Sequence, residues 1–346
     1  MMLGVRSMVF PAAAATVMLS AMTGPGDTAA PPPASEAGAT PSALVPADDG
    51  ARIIATDQLD GRTFDLTVSS PALAEKSKVR VLVPKGWSRD ATRRWPVVYA
   101  YHGGRDTYVS WTRSTDIEEV SARYDVMVVM PESDDGAFTD WWNYGKGGPP
   151  KWETFHTAEV LQLMERNYRA GQDRAAMGIS SGAYGAMIYA ARHPGMFRYV
   201  ASSSGTLHLT RPGIPLVTLF VQGFLTDSGD PFRVLGVPGV DENNWRAHDP
   251  YVLAENLRGT GLYVSSGTTG LPGPADHPEP GQEHSVQVQE VFCGMTSVDF
   301  LQRLRELNIP VTAHVYGDGW HNWEMWELEM RRFWPLMMAR LGVPQQ

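Results

Sequence analysis

Two stretches, "WPVVYAYH" (95–102) and "DVMVVMP" (125–131), constrain the fold most. Each is a short, nearly unbroken apolar run stopped by turn residues. A strand reads this way when both of its faces are buried, as in parallel sheets covered by helices on either side. Further strands are expected near "RAAMGI" (174–179), "YVASSS" (199–204), "GLYVSS" (261–266) and "VTAHVYG" (311–317). Helical periodicity fills the intervals around 114–123, 154–168, 182–192, 286–307 and 323–340. Upstream, "TFDLTVS" and "KVRVLVP" alternate with period two. The alternation predicts an α/β domain with a mostly parallel central sheet and helices on both faces. A chain of 346 residues, 43% of them hydrophobic, can bury one such core. Residues 209–250, with many Pro and Gly, read as an irregular excursion over the sheet edge.

Within this pattern Gly178-Ile179-Ser180-Ser181-Gly182 forms G-x-S-x-G between a strand and a helix rich in small residues. Such a strand-to-helix elbow lifts a serine hydroxyl clear of the backbone, and small flanking residues let strand and helix approach. Ser180 is therefore the candidate nucleophile. The Ser181 N–H, at the start of the helix, is a candidate oxyanion donor.

A serine nucleophile needs a base, and in this arrangement base and orienting acid follow it in the chain. Of nine histidines, the candidates weighed beyond Ser180 are His208, His248, His277, His284, His314 and His321. His321 is the candidate, because "YGDGWHNW" follows a late strand and precedes the last helix, while His314 falls inside the strand pattern. The candidate acids are Asp276, Glu283, Glu290, Asp299 and Asp318, and chain order alone favours Asp276, just after "GLYVSSG".

The first residues read as an export signal: Arg6, the apolar "MVFPAAAATVMLSAM", and small residues up to a cleavage site near Ala30. Residues 31–50, rich in Pro, Ala and Ser, read as a linker, which leaves 51–346 as the catalytic domain. The apolar run falls short of the roughly 20 residues that span a bilayer, so no stable membrane anchor is expected. Net charge is -9 and no basic run exceeds two residues, which argues against nucleic-acid binding. Cys293 is the only cysteine, excluding an internal disulfide. No metal cluster and no cofactor motif stand out: His102 lacks a partner four residues on, and "ESDDG" reads as a solvated turn.

"KWETFHTAEVLQLME" (151–165), the elbow, "HPGMFRYVASSSG" (193–205) and "GWHNWEMW" (319–326) resemble the secreted mycolyltransferases of mycobacteria, the antigen 85 complex, and the wider esterase D-like group. The similarity runs over roughly residues 60–340 and is weakest across 209–250. It implies an α/β-hydrolase fold, a Ser-Glu-His triad, and acyl transfer from a lipid, sugar or glycerol ester to a sugar or glycerol hydroxyl, or to water. It carries the acid onto Glu290, the second oxyanion donor onto the Gly104 N–H, and substrate contacts onto Arg105 and Trp323. The chain departs from the family pattern at His102 and Gly104, where the family has an acidic residue and a leucine. "HGG" (102–104) is closer to the oxyanion signature of ordinary esterases. The expected activity is that of a secreted serine esterase or acyltransferase. The alternatives are a non-catalytic wall- or matrix-binding protein and a peptidase on the same fold.

Overall fold

The computed structural model describes residues 43–225 and 229–346. The export signal over 1–30 and most of the linker lie outside the described residues. Among the described residues nine strands form one sheet in the order β1-β2-β3-β5-β4-β6-β7-β8-β9. The strands are β1 (Arg52–Gln58), β2 (Thr63–Ser70), β3 (Glu75–Leu82), β4 (Trp95–Tyr101), β5 (Met127–Pro131), β6 (Ala170–Ile179), β7 (Tyr199–Ser203), β8 (Gly261–Ser266) and β9 (Thr312–Val315). β1, β2, β3 and β5 pair antiparallel; from β5 through β4 to β9 every pairing is parallel.

The helices are α1 (Ser110–Ser114), α2 (Ile117–Ser121), α3 (Trp152–Thr154), α4 (Leu161–Asn167), α5 (Ser181–Arg192), α6 (Ile214–Leu225), α7 (Phe232–Leu235), α8 (Glu242–Ala247), α9 (Val288–Glu306) and α10 (Trp323–Leu341). A π-helical segment, Phe155–Val160, joins α3 to α4.

The two-sided burial expected of β4 and β5 divides their side chains by parity. Val97, Tyr99 and Tyr101 enter one core with Leu161, Met164, Met187 and Phe300 of α4, α5 and α9. Val98 and Ala100 enter the other with Trp111, Ile117, Met330 and Phe333 of α1, α2 and α10. The "KWETF" stretch serves this scaffold. Buried Glu153 accepts from Arg192 Nε at 2.8 Å and pairs with His193 Nε2 at 2.7 Å, tying the start of one helix to the end of another.

Three expectations need correction. Residues 209–250 are not irregular, because α6, α7 and α8 occupy much of the stretch. Pro215 sits in the first turn of α6, where its missing N–H leaves no helical bond unmade, and Gly223 lies near the far end, so neither breaks the helix. Residues 43–50, read above as the end of the linker, lie against the domain. Asn167 holds this entry segment by accepting from Val45 N (2.7 Å) and donating to Val45 O (2.8 Å), and Ala47 is buried. β1 was not anticipated. Its burial shows no alternation, since it is an outer strand exposed along most of its length.

Candidate active site

Parallel strands deliver their C-terminal ends to one edge of the sheet, and in open α/β sheets ligands bind at that edge. Ser180 follows β6 directly and precedes α5. Its backbone adopts φ 53°, ψ -122°, a region that costs a non-glycine residue roughly 1–3 kcal/mol. The surroundings impose it: Ser180 N donates to Ser203 O at the end of β7 (3.0 Å), while Ser180 O accepts from Ala183 N (3.1 Å). The flanking glycines are required by distance. A Cβ on Gly178 would lie 2.1 Å from Gly182 O, and one on Gly182 would lie 2.3 Å from His102 O.

The turn brings Ser180 Oγ to 2.9 Å from His321 Nε2. On the far side of the ring His321 Nδ1 meets Glu290 Oε2 at 2.6 Å. A carboxylate only accepts, so Nδ1 carries the hydrogen and Nε2 is left to accept from the serine hydroxyl. Glu290, in the first turn of α9, is 0% exposed. Its Oε1 accepts from Ser204 Oγ (2.9 Å), Ser266 Oγ (3.0 Å) and Gly267 N (2.6 Å), so the buried carboxyl is fully hydrogen-bonded. The indole N–H of Trp326 donates to Ser204 Oγ (3.1 Å), and the indole stands edge-on to the His321 ring with centroids 4.9 Å apart.

The structure thus joins Ser180, His321 and Glu290 in one hydrogen-bonded row and gives Asp276 a different place. Asp276 Oδ2 accepts from Trp320 N (2.8 Å) and Oδ1 from Asn322 Nδ2 (2.7 Å), gripping the residues on either side of His321. His321 N donates to Gln287 Oε1 (2.8 Å).

Gly104 follows β4. A Cβ built on it would lie 3.7 Å from Ser181 Oγ, so the two expected oxyanion donors are neighbours beside Ser180. Among the described residues neither of their N–H groups is taken by a backbone carbonyl. Arg105 donates its own N–H to Asp135 Oδ1 (2.9 Å). Beside them, buried His102 touches Gly103 O through Nδ1 (2.7 Å), and Glu132 Oε1 and Ser133 Oγ through Nε2 (2.8 and 2.9 Å). Burial pushes the Glu132 carboxyl up, but the hydrogen bond and charge of His102 and the N–H groups of Asp134 and Tyr108 bring it below its ordinary value.

A cavity of about 410 Å³ opens at Ser180, with Arg105, Asp134 and Asp135 near Gly104 and an apolar wall formed by Leu209, Ile214, Val217 and Phe220. α6 carries no charged residue. It lines this cavity while leaving Leu216 70% and Phe220 59% exposed. Trp323 stands outside the wall, edge-on to Trp111 and Trp326 with centroids 5.2 and 5.3 Å away.

The sequence reading missed Trp326, Ser204, Ser266 and Gln287. Trp326 had one visible signal: it completes the "WEMW" helix start, three residues after Trp323 and on the same helix face. Cys293 lies one helical turn beyond Glu290 and lines the cavity. Burial pushes its thiol pKa well up, so it stays protonated. Glu290, Cys293 and His321 each bring a potential ligand atom within 4.8 Å of the others, but two of those groups already bond each other.

A mixed, mostly parallel sheet between helices, with a serine elbow at its carboxyl edge, defines an α/β-hydrolase fold. A family model described as "Putative esterase" matches residues 70–334, and the chain belongs to this esterase family. The chain is 30% identical to Esterase Rv1288 of Mycobacterium tuberculosis over 278 residues, covering 78% of this chain and 58% of that one. It therefore spans less than two thirds of that relative's length. Against the diacylglycerol acyltransferase/mycolyltransferase Ag85B of Mycobacterium intracellulare, identity is 27% over 261 residues, covering 72% and 76%. Among solved structures, MPT51 (FbpC1) of Mycobacterium tuberculosis superposes with TM-score 0.65 at 22% identity, over 82% of this chain and all of the other (100%). An S-formylglutathione hydrolase from Agrobacterium tumefaciens does so with TM-score 0.64 at 16% identity, over 84% and 99%. The esterase family membership and the resemblance to antigen 85 proteins both hold. Among the described residues no helix is long and apolar enough to cross a membrane.

Proposed function

We propose that the protein is a serine-dependent acyl-ester hydrolase or acyltransferase that works through an acyl-enzyme, with Ser180, His321 and Glu290 as its triad. The observation that carries this reading is the unbroken path from Ser180 Oγ through the imidazole to a buried, fully bonded carboxylate. His321 Nε2 takes the Ser180 proton as Oγ attacks the ester carbonyl, and Glu290 stabilises the imidazolium that forms. The N–H groups of Gly104 and Ser181 receive the developing oxyanion. His321 then returns the proton to the leaving alkoxide, and the acyl group stays on Ser180. In the second half, water or a sugar or glycerol hydroxyl gives its proton to the same nitrogen as its oxygen attacks the acyl carbonyl, and His321 returns that proton to Ser180 Oγ as the acyl–Oγ bond breaks.

The two ends of the cavity divide the substrate. The apolar wall from Leu209 to Phe220 takes the acyl chain, and the end bearing Arg105, Asp134 and Asp135 takes the hydroxyl-bearing part. Trp323 contributes through Trp326, which it supports from behind. The catalytic domain covers 51–346, and an export signal at residues 1–30 sends the protein out of the cell.

Labelling with a fluorophosphonate probe, followed by peptide mapping, tests the nucleophile. Modification at Ser180 that vanishes in Ser180→Ala is the expected result, and labelling elsewhere or none at all overturns the reading. Mass spectrometry of products from a nitrophenyl ester, with and without glycerol or trehalose, then separates hydrolysis from transfer.

A further inference from the structure

His102 is 1% exposed and both of its ring nitrogens are engaged, although it touches none of the three residues in the Ser180–His321–Glu290 row. Gly103 O lies 2.7 Å from Nδ1. A carbonyl oxygen only accepts, so Nδ1 is the donor. That carbonyl belongs to the same planar peptide unit as the Gly104 N–H, and the unit is trans. In a trans peptide, C=O and N–H point in opposite directions, so fixing one fixes the aim of the other.

The surroundings hold the ring from its other end. Nε2 accepts from Ser133 N at 2.9 Å and lies 2.9 Å from Ser133 Oγ, with Glu132 Oε1 2.8 Å away, all from the segment following β5. Glu132 is itself fixed, because its Oε1 accepts from Asp134 N (3.0 Å) and its Oε2 from Tyr108 N (3.2 Å). The backbone of His102 is wedged against the elbow, since its carbonyl fills the place where a Cβ on Gly182 would stand. With two successive glycines, the 103–104 peptide has no side chain of its own to limit its rotation. The imidazole supplies that limit.

We propose that His102 is a positioning residue that sets the aim of the Gly104 N–H at the oxyanion, by gripping the opposite end of its peptide with Nδ1 while the Ser133 N–H holds Nε2. The proposal rests on the reading of Ser180 as nucleophile. It concerns transition-state stabilisation, so substrate binding is unaffected while the chemical step slows when the grip is lost.

Two substitutions separate the grip from mere filling of space. In His102→Asn the amide nitrogen sits near the position of Nδ1 and can still donate to Gly103 O. In His102→Gln the longer side chain carries its amide toward the position of Nε2 and leaves Gly103 O without that donor. With a short nitrophenyl ester, His102→Gln is expected to lose about 10- to 100-fold in kcat with KM within about twofold of the parent, whereas His102→Asn keeps kcat within about threefold. Affinity for a trifluoromethyl ketone, which mimics the tetrahedral oxyanion, falls in His102→Gln in step with kcat/KM. Should His102→Gln not fold, His102→Phe, which fills the ring volume without donating, takes its place with the same expectation. Wild-type kcat in the non-donating variant, or equal losses in it and in His102→Asn, overturns the proposal. Ser180→Ala measured alongside keeps the two readings apart. Turnover in that variant defeats the nucleophile assignment, while a dead Ser180→Ala beside an unimpaired His102→Gln defeats this inference alone.

Discussion

The carboxylate of Asp276 accepts the Trp320 N–H at 2.8 Å, one residue before His321. Its other oxygen accepts from Asn322, one residue after, so Asp276 orients the loop while Glu290 orients the ring. Glu290→Gln therefore removes the charge that stabilises the imidazolium and should lower kcat by about 10³- to 10⁴-fold, by analogy with amide substitution of a triad acid. Asp276→Asn can keep its amide oxygen toward Trp320 N and Gly273 N, giving up only the acceptor for Asn322, and should lose about 10-fold or less. Steady-state rates of the two variants on one ester check this, and the reverse ranking would transfer the acid role to Asp276.

The backbone at Ser180 lies where glycine is at ease and other residues are strained. Ser180→Gly and Ser180→Ala should both abolish turnover, yet the glycine variant should be the more stable by about 1 kcal/mol, because it relieves the strained φ. Thermal melts of the two inactive proteins decide it. An alanine variant at least as stable as the glycine variant would mean that the elbow stores no strain.

Gly182 faces two backbone carbonyls, His102 O at 2.3 Å and Tyr101 O at 2.5 Å from a Cβ built on it, and neither can swing aside as a side chain would. Gly182→Ala should cost about 3 kcal/mol or more and displace the Ser181 N–H, so activity falls beyond what lost stability explains. Gly317→Ala, which meets nothing within 4 Å, is the control and should change stability by no more than about 0.5 kcal/mol. Denaturant titration with parallel rate measurements tests both.

His156 is fully buried and its pKa is pushed down to about 3 by burial. Its Nε2 faces Glu132 O at 2.9 Å and its Nδ1 faces the Tyr189 hydroxyl at 2.8 Å, so the neutral ring satisfies both nitrogens. The unfolded chain takes up this proton near pH 6.5 and the folded chain only near 3, so between those values the unfolded state holds more protons. The contribution is complete above about pH 6.5 and is lost as the pH falls toward 3. His156→Gln, which cannot titrate, should show a shallower acid slope, the difference growing by about 1.4 kcal/mol per pH unit below 6. Urea unfolding at pH 7, 5.5 and 4.5 measures it, and parallel slopes would refute it.

Ser180 and His321 were legible because each sits at a boundary that composition marks: a strand ending in small residues, and a loop between the last strand and the last helix. The acid was not legible from the residues themselves. More than twenty residues separate the end of β8 from Glu290, and chain order cannot say which carboxylate in that loop turns toward the ring. Only resemblance pointed to Glu290, the carboxylate that meets His321. The seat of that carboxylate was hidden for the same reason, since Ser204, Ser266 and Trp326 come from three separate segments. α6 was misread because Pro215 and Gly223 were counted as breakers without regard to their places in the helix. The parallel sheet was legible because burial on both faces leaves its mark in every residue of β4 and β5 except Pro96.

The reactive row hangs from sheet ends and from the starts of α5, α9 and α10, whereas the apolar side of the cavity comes largely from α6 and its approach. Under the proposed function, chemistry and selectivity then fall to separable portions of the chain. Grafting a different segment over 209–235 is expected to exchange the preferred acyl group and to leave the row from Ser180 to Glu290 as it stands, a scaffold suited to diversification one stretch at a time.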